Sequence, residues 1–305
     1  MNIDSIRFAD RFNGISGSAI REIFKLLAVP GMISFAGGNP SPDSLPGEKV
    51  GEIANALLQE KGKVLLQYGA TEGYAPLKES LVSYLKDRFS FTCTAEEILP
   101  VTGSTQAMDL LCKALLNPGD KVVVESPTFL GNMQCLNLYQ ANLIPVASDD
   151  DGIDVDRLEE VFKTEHPKML YIIPTFQNPT GRTLSLERRK RIAHLASEYG
   201  VVVAEDDPYR DLRYTGQELP SIKSFDQEGW VAFMGSFSKV ISPGLRVGYL
   251  VAHLSILRKC TIGKQSSDVH TALVNQAVVD HYLRNDLLMP HVETIRKAYG
   301  EKMST

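Results

Sequence analysis

Short apolar runs alternate with helical stretches through the middle of this 305-residue chain, and this alternation restricts the fold more than any other feature. Runs such as Val201-Val202-Val203-Ala204 are apolar on both faces, which is typical of strands in a buried parallel sheet. The sequence therefore predicts an α/β fold, with a mostly parallel sheet flanked by helices. The predicted strands cover residues 98–102, 121–125, 143–146, 169–174, 201–206, 231–235 and 247–252. The predicted helices between them cover 104–116, 130–139, 154–163, 185–199 and 254–260.

The two ends of the chain differ from this central pattern. Residues 1–45 have the composition of a turn-rich arm that follows a short helix near 18–27. The tail from about 269 to 304 is helical, with Thr271, Val274, Val278 and Tyr282 near one face. We therefore expect an N-terminal arm over 1–45, a large domain over 46–270, and the start of a connecting helix over 271–305.

Composition and charge exclude several classes of function. Hydrophobic residues make up 43% of the chain and charged residues 23%, which is ordinary for a globular protein. The net charge of −5 predicts no nucleic-acid partner, and the sequence has no apolar run of the ~18–20 residues that span a bilayer. The four cysteines and six histidines are scattered, so no metal site is predicted. The expected location is the cytoplasm, because the N-terminus lacks the pattern of a signal peptide.

The segment Gly235-Ser236-Phe237-Ser238-Lys239 holds a lysine directly after an apolar run. A lysine at the exit of a buried strand is a candidate for a Schiff base with an aldehyde cofactor. The hydroxyl groups of Ser236 and Ser238, together with Arg246, suit a phosphate group. Taken alone, the same segment also fits a solvated loop lysine, since most lysines lie at the surface.

Two more predicted strand ends carry polar residues. Gly103 allows a tight turn, and the N–H groups of Ser104 and Thr105 then lie at a helix N-terminus, where phosphate binds readily. Plain capping of the helix explains these residues as well. Asp206 ends a buried strand, and a buried acid needs a partner, although a loop cluster of acids is the alternative. Ligands of parallel sheets gather at the carboxyl ends of strands, so these residues are expected at one edge.

A longer motif joins these segments. Residues 236–248 read Ser-Phe-Ser-Lys-Val-Ile-Ser-Pro-Gly-Leu-Arg-Val-Gly and fit the pattern Ser-x-Ser-Lys-x-x-x-Pro-Gly-x-Arg-x-Gly. With this motif, the chain from about Ser18 onward resembles the fold-type I, class I/II aminotransferases, which use pyridoxal 5'-phosphate. Its arm, with Ser34-Phe35-Ala36-Gly37-Gly38-Asn39-Pro40, resembles the 2-aminoadipate and kynurenine aminotransferase subgroup.

The resemblance implies roles for the residues that match the family's motifs. Lys239 would form the Schiff base with the cofactor and shuttle the proton at the substrate's Cα. Asp206 would pair with the ring nitrogen, with Asp207 as its non-catalytic neighbour. The cofactor phosphate would lie against Gly103, Ser104 and Thr105, together with Ser236, Ser238 and Arg246.

Further implied contacts come from other segments. Asn178, in an unchanged Asn-Pro-Thr-Gly motif, and Tyr209 would donate to the ring oxygen, and Asn178 would also lie near the substrate carboxylate. Phe129 would stack on the ring. The Asn178 segment also fits an ordinary turn. Gly38 and Arg21 would approach the substrate, although Arg21 fits equally a surface helix.

Tyr68 matches a tyrosine that reaches the phosphate of the neighbouring subunit, so the resemblance implies a homodimer; a half-buried aromatic is the alternative. The expected activity is transfer of an amino group between an α-amino acid and a 2-oxo acid. A pyridoxal-phosphate-dependent C–S lyase and a non-catalytic cofactor-binding module of a regulator remain alternatives. The small C-terminal domain of the family, with its arginine for the substrate carboxylate, is expected to be absent or truncated.

Overall fold

A mixed sheet of eight strands forms the centre of the described structure. The computed structural model describes residues 5–13, 15, 17 and 38–304. The strands are β1 (Ile98–Val101), β2 (Lys121–Ser126), β3 (Asn142–Asp149), β4 (Gly152–Ile153), β5 (Met169–Ile172), β6 (Val202–Asp206), β7 (Val231–Ser236) and β8 (Gly248–Val251). Their order across the sheet is β1-β8-β7-β6-β5-β2-β3-β4.

Strand direction confirms the mostly parallel sheet. β7, β6, β5, β2 and β3 pair in parallel along the sheet, so their carboxyl ends meet at one edge. β8 is reversed, because it pairs antiparallel with both β7 and β1. Every residue of β5 and of β6 is buried, as expected for strands covered on both faces.

Helices cover both faces of the sheet. In the described part of the chain they are α1 (Gly47–Leu65), α2 (Ala75–Phe89), α3 (Ser104–Leu115), α4 (Leu130–Leu138), α5 (Val155–Glu165), α6 (Leu186–Tyr199), α7 (Leu254–Gln265), α8 (Leu273–Arg284) and α9 (Leu288–Ser304). One apolar core joins α3, α4 and α7 to one face. On the opposite face, α5 and α6 share one core, and α1, α2 and α8 share another.

The structure differs from the sequence-based expectations in two places. The sequence pattern did not predict α1 and α2, which lie in the segment before β1. The helical tail is two helices rather than one, because Asp286 between α8 and α9 takes the left-handed backbone conformation, with φ of 52°. The helix expected near 18–27 lies outside the described residues. Among the described helices, none is long and apolar enough to cross a membrane.

Candidate active site

Lys239 lies beyond the carboxyl end of β7. Ser236 is the last residue of that strand, and its Oγ is 2.9 Å from Ser238 Oγ. The Nζ of Lys239 donates to the carbonyl oxygen of Gly38, at 2.9 Å. Burial lowers the pKa of Lys239 below its ordinary value, and the positive charge of Arg246 lowers it further. The segment therefore presents an amine that gives up its proton more readily than a surface lysine.

The residues predicted to bind a phosphate, here called the phosphate cup, lie where β1 meets α3. Gly103 has φ of 82° and caps α3, which starts at Ser104. A Cβ on Gly103 would lie 2.3 Å from Arg246 Nη2, so the residue must be glycine. The first-turn N–H groups of Ser104 and Thr105 have no acceptor within an α-helix. The structure thus brings an exposed guanidinium and a helix N-terminus together, and both favour an anion.

Arg246 joins this cup to the lysine segment. Its Nη2 donates to the carbonyl oxygen of Thr102 at 3.1 Å, and its Nη1 lies 3.5 Å from Ser238 Oγ. The two hydroxyl-bearing residues Ser236 and Ser238 therefore lie on the same side as the cup.

Asp206 is the last residue of β6 and is 3% exposed. Its Oδ2 accepts from Tyr171 Oη at 3.0 Å and from Asn132 Nδ2 at 3.3 Å. Within the described residues its other oxygen, Oδ1, is buried without a hydrogen-bond partner. Burial raises the pKa of Asp206 to about 7, and the nearby charge of Asp207 adds to that shift. A cationic partner at Oδ1 would offset both the burial of the carboxylate and its repulsion by Asp207.

The flanking acids have other surroundings. Glu205 is fully buried, and its two oxygens accept from the backbone N–H groups of Ile222 and Lys223 at 2.7 and 2.8 Å. Asp207 accepts from Thr175 Oγ1 at 3.1 Å, and its Oδ1, like that of Asp206, is buried without a hydrogen-bond partner among the described residues. Asp207 differs from Asp206 because its charge interacts with the buried arginines Arg189 and Arg210. Since side chains alternate along a strand, Asp206 alone of the three faces Tyr171 and α4.

Two loops beside Asp206 are tied together by Gln177. Its Nε2 donates to the carbonyl oxygen of Pro127 at 2.9 Å, and its Oε1 accepts from Thr180 N at 2.9 Å. Next to it, Asn178 Nδ2 donates to Tyr209 Oη at 3.2 Å. Asn178 and Tyr209, which the sequence predicted to share one ligand atom, are therefore in direct contact.

Phe129 directly precedes α4 and is half-buried. Its ring lies so close to Gly131 that a Cβ there would lie 2.6 Å from ring atoms. Asn132, one helical turn further on, reaches Asp206. The start of α4 thus places an aromatic ring and a hydrogen-bond donor beside the same buried acid.

Tyr68 stands apart from this group. Its side chain is 82% exposed, and its ring meets the ring of His270 edge-on at 6.2 Å. In the described part of the chain no contact joins it to the other predicted cofactor residues. Gly38 reaches the site through Lys239, whereas Arg21 lies outside the described residues.

Sequence reasoning missed Tyr171 and Asn132, the two donors to Asp206. Tyr171 is an interior residue of β5, where a pattern predicts only burial. Asn132 offered a weak signal, since it lies three residues after Phe129 and so on the same face of a helix. The described residues contain no cluster of three or more His, Cys, Asp or Glu suited to a metal ion.

The residues at this edge fit pyridoxal 5'-phosphate. The buried Oδ1 of Asp206 calls for a cation such as a protonated ring nitrogen. The side-chain-free surface of Gly103, the guanidinium of Arg246 and the helix N-terminus call for a phosphate. Lys239 supplies an amine for an aldehyde.

Comparison with known proteins points to one family. The family model for aminotransferases of class I and II matches residues 30–304. A 2-aminoadipate transaminase from Thermus thermophilus is 44% identical over 291 residues, which cover 94% of this chain and 72% of the relative. An aromatic-amino-acid aminotransferase from Thermococcus litoralis is 38% identical over 297 residues, covering 96% and 71%.

Solved structures agree. The multiple substrate aminotransferase from Thermococcus profundus has a TM-score of 0.92 at 38% identity, over 99% of this chain and 76% of that chain. The alpha-aminoadipate aminotransferase from Thermus thermophilus, complexed with N-(5'-phosphopyridoxyl)-L-leucine, has a TM-score of 0.88 at 42% identity, over 97% and 74%.

Proposed function

Because the chain belongs to the class I and II aminotransferase family and is a transaminase that uses pyridoxal 5'-phosphate, we propose that the edge between Gly103, Asp206 and Lys239 is its active site. One observation carries the proposal. β6 and β7 pair in parallel, so their carboxyl ends are adjacent. β6 ends in Asp206, which has one buried oxygen without a partner among the described residues, and Lys239, whose pKa is lowered, follows the end of β7.

Lys239 acts as nucleophile and base. When bound, the cofactor supplies an aldehyde for amines and a protonated ring that withdraws electrons from the substrate. A lowered pKa leaves more of the Lys239 amine neutral, and a neutral amine can attack a carbonyl or take the proton from the Cα of an amino acid. Arg246 favours that neutral form because it repels the ammonium group.

The remaining residues bind and orient. Asp206 holds the proton of the ring nitrogen, and Tyr171 and Asn132 fix the direction of its free oxygen. Asn178 and Tyr209 would donate to the ring oxygen, and Phe129 would pack against the ring. Gly103, Ser104 and Thr105 would bind the phosphate, together with Ser236, Ser238 and Arg246.

The substrates are α-amino acids and 2-oxo acids. We propose that acidic and aromatic amino acids are among them, since the relatives are named for 2-aminoadipate, aromatic amino acids and kynurenine. Gly38 is proposed to approach the substrate, and the support is the hydrogen bond from Lys239 to its carbonyl oxygen. Arg21 is proposed as a partner for an acidic side chain.

A single half-reaction tests the function. The loaded enzyme, mixed with one amino acid and no 2-oxo acid, should convert its cofactor stoichiometrically to pyridoxamine 5'-phosphate and release one 2-oxo acid. A panel of 2-aminoadipate, glutamate, phenylalanine, kynurenine and leucine would rank the substrates. Release of pyruvate, ammonia and a thiol from a cysteine conjugate, without pyridoxamine 5'-phosphate, would instead support the C–S lyase.

We also propose a homodimer in which Tyr68 completes the site of the partner subunit. The support is its 82% exposure and its separation from the site within one chain. In mixed dimers of Tyr68→Ala and Lys239→Ala chains, one site carries both changes and the other carries neither, so part of the activity should return. A monomer that retains the cofactor tightly in sedimentation would contradict the proposal.

A cytoplasmic location is proposed as well, because all four cysteines are free thiols.

A further inference from the structure

A second lysine, Lys264 near the end of α7, lies in a polar network beneath the phosphate cup. Its side chain is 0% exposed. Its Nζ donates to Gln106 Oε1 at 2.7 Å, to both oxygens of Asp268 at 2.9 Å, and to Thr271 Oγ1 at 3.0 Å. Thr102 Oγ1 also donates to Asp268 Oδ2, at 2.9 Å. A buried ammonium is therefore fully paired, which is the condition under which a protein tolerates it.

The network controls the direction of one side-chain amide. Gln106 Oε1 accepts from the backbone N–H of Thr102 at 2.7 Å, and Gln106 Nε2 donates to Asp268 Oδ2 at 2.7 Å. A free glutamine amide can turn over and exchange these two atoms. Lys264 can only donate, so the oxygen of the Gln106 amide must face it. Asp268 can only accept, so the nitrogen of that amide must face Asp268. The pair thus keeps the oxygen of Gln106 directed at Thr102.

Thr102 is the residue that sets the cup. Its N–H is bound by Gln106 and its hydroxyl by Asp268, while its carbonyl oxygen accepts from Arg246 at 3.1 Å. Gly103 follows and has no side chain with which to fix its own conformation. The orientation of the peptide between Thr102 and Gly103, and of the N–H groups after it, therefore depends on the contacts of Thr102.

The charges of the network cancel, so its influence is geometric. Burial lowers the pKa of Lys264, and the bond to Asp268 opposes that shift. Burial alone would raise the pKa of Asp268, but hydrogen bonds from Lys264, Gln106 and Thr102 outweigh it and lower the pKa. The ion pair adds no net charge beneath the cup, and Arg246 supplies the cation on the open side.

We infer that Lys264, acting with Asp268 through Gln106, is a positioning residue for the phosphate group of the cofactor. The inference rests on the proposed function, because it takes Gly103, Ser104 and Thr105 as the phosphate cup. The network acts only on the phosphate end of the cofactor. Loss of the network should therefore weaken binding of the phosphate and leave binding of the ring unchanged.

Binding of two aldehydes by the cofactor-free protein tests this. Pyridoxal 5'-phosphate and pyridoxal differ only in the phosphate, and equilibrium dialysis gives both dissociation constants. Lys264→Met should weaken pyridoxal 5'-phosphate binding about tenfold and change pyridoxal binding less than about twofold. Because that variant leaves the charge of Asp268 beneath the cup, the uncharged Gln106→Met must show the same selective loss for the effect to be one of position. Equal weakening of both, or no change in either, would overturn the inference.

The chain offers a matched control and a second variant. Lys113 also joins α3 to the turn after α7, by donating to Ser267 Oγ at 2.7 Å, but it does not touch Thr102. Lys113→Met should leave both dissociation constants unchanged. If Lys264→Met does not fold, Gln106→Met takes its place, with the same expected selective loss of phosphate affinity and the same contradicting results.

Arg246→Met separates this inference from the proposed function. If it leaves the ratio of the two dissociation constants unchanged, the proposed phosphate cup is wrong. The other outcome is that Arg246→Met reduces the preference for pyridoxal 5'-phosphate over pyridoxal while Lys264→Met and Gln106→Met leave that preference unchanged. In that case the proposed phosphate cup is supported and the inference about Lys264 is wrong.

Discussion

Lys264 is fully buried and Lys239 is half-buried, and the two lysines differ in the groups that surround the amine. Lys264 gains a carboxylate, an amide oxygen and a hydroxyl within 3.0 Å. Lys239 gains one backbone carbonyl oxygen at 2.9 Å and the repulsion of Arg246. Burial lowers the pKa of both lysines, but the carboxylate of Asp268 opposes that shift at Lys264, whereas Arg246 adds to it at Lys239. Burial alone therefore does not distinguish the two lysines; the sign of the neighbouring charge does.

The acids at the end of β6 repeat the contrast. Glu205 has backbone donors for both of its oxygens, whereas one oxygen of Asp206 has none among the described residues. Asp207 also has an unpaired oxygen, but two arginines lie near its charge, whereas no cation of the described residues acts on Asp206. A buried acid that lacks both a donor for one oxygen and a neighbouring cation is a position where a cationic ligand would complete the structure. The following predictions test this distinction.

The largest expected effect is on Lys239. Lys239→Ala should lower kcat at saturating cofactor by at least about 10³-fold, because both a nucleophile and a proton carrier are lost. Lys264→Met should instead regain most of its activity when cofactor is added in excess. Steady-state rates over a range of cofactor concentrations measure this. Equal behaviour of the two variants would abolish the contrast between the two lysines.

The next effect concerns the acids. Asp206→Asn should lower kcat about 10²- to 10³-fold, which is typical of removing one preorganised electrostatic contact. Glu205→Gln should lower the free energy of unfolding by about 1–3 kcal/mol, because the paired carboxylate is lost, with a much smaller effect on kcat. Rates and denaturant unfolding measure the two quantities. If Asp207→Asn damaged kcat more than Asp206→Asn, the ring partner would be the next residue.

A smaller effect is expected at Tyr209. Tyr209→Phe removes one neutral hydrogen bond, so kcat/KM should fall about tenfold or less. Asn178 loses its acceptor in that variant, and Asn178→Ala should add little when combined with it because the two side chains act as a pair. Rates of the two single variants and of the double variant decide this. Fully additive losses would show that the two residues act independently.

The smallest effect is on the stability of the cofactor-free protein. The pKa of Lys239 is below 10.5 in the folded state, so the unfolded chain binds the proton more tightly. Stability therefore rises with pH from the folded pKa up to 10.5, and the penalty is present below that window. Lys239→Met should raise the Tm at neutral pH, by an amount that shrinks toward pH 10.5. Lys264→Met should lower it, since Asp268 is left unpaired. Thermal scans across pH would contradict this if both variants shifted in the same direction.

The sequence predicted the sheet and the site unequally. Apolar runs predicted the strands, and residues at strand ends supplied most of the proposed site, because topology alone brings carboxyl ends together. Leu77, Leu81 and Leu85 carried a helical signal for α2 that was overlooked, with spacing of four residues and 0% exposure. The reversed direction of β8 could also have been predicted from the sequence. Only eleven residues separate β7 from β8, and a crossover between parallel strands needs a dozen or more.

Other features were beyond reach of the sequence. The donors to Asp206 come from β5 and α4, and the Lys264 network joins residues as far apart as Thr102 and Thr271. Such pairings depend on how elements pack, and no local pattern records them. The arrangement around Tyr68 depends on a second chain if the proposed dimer forms.

Reductive trapping of the cofactor tests the central claim most directly. Borohydride would fix pyridoxal 5'-phosphate to the amine that holds it, and peptide mapping would then identify the lysine. The account predicts the label on Lys239 and none on Lys264, although the pKa of both lysines is lowered. Label on Lys264, on another lysine, or on none would contradict it.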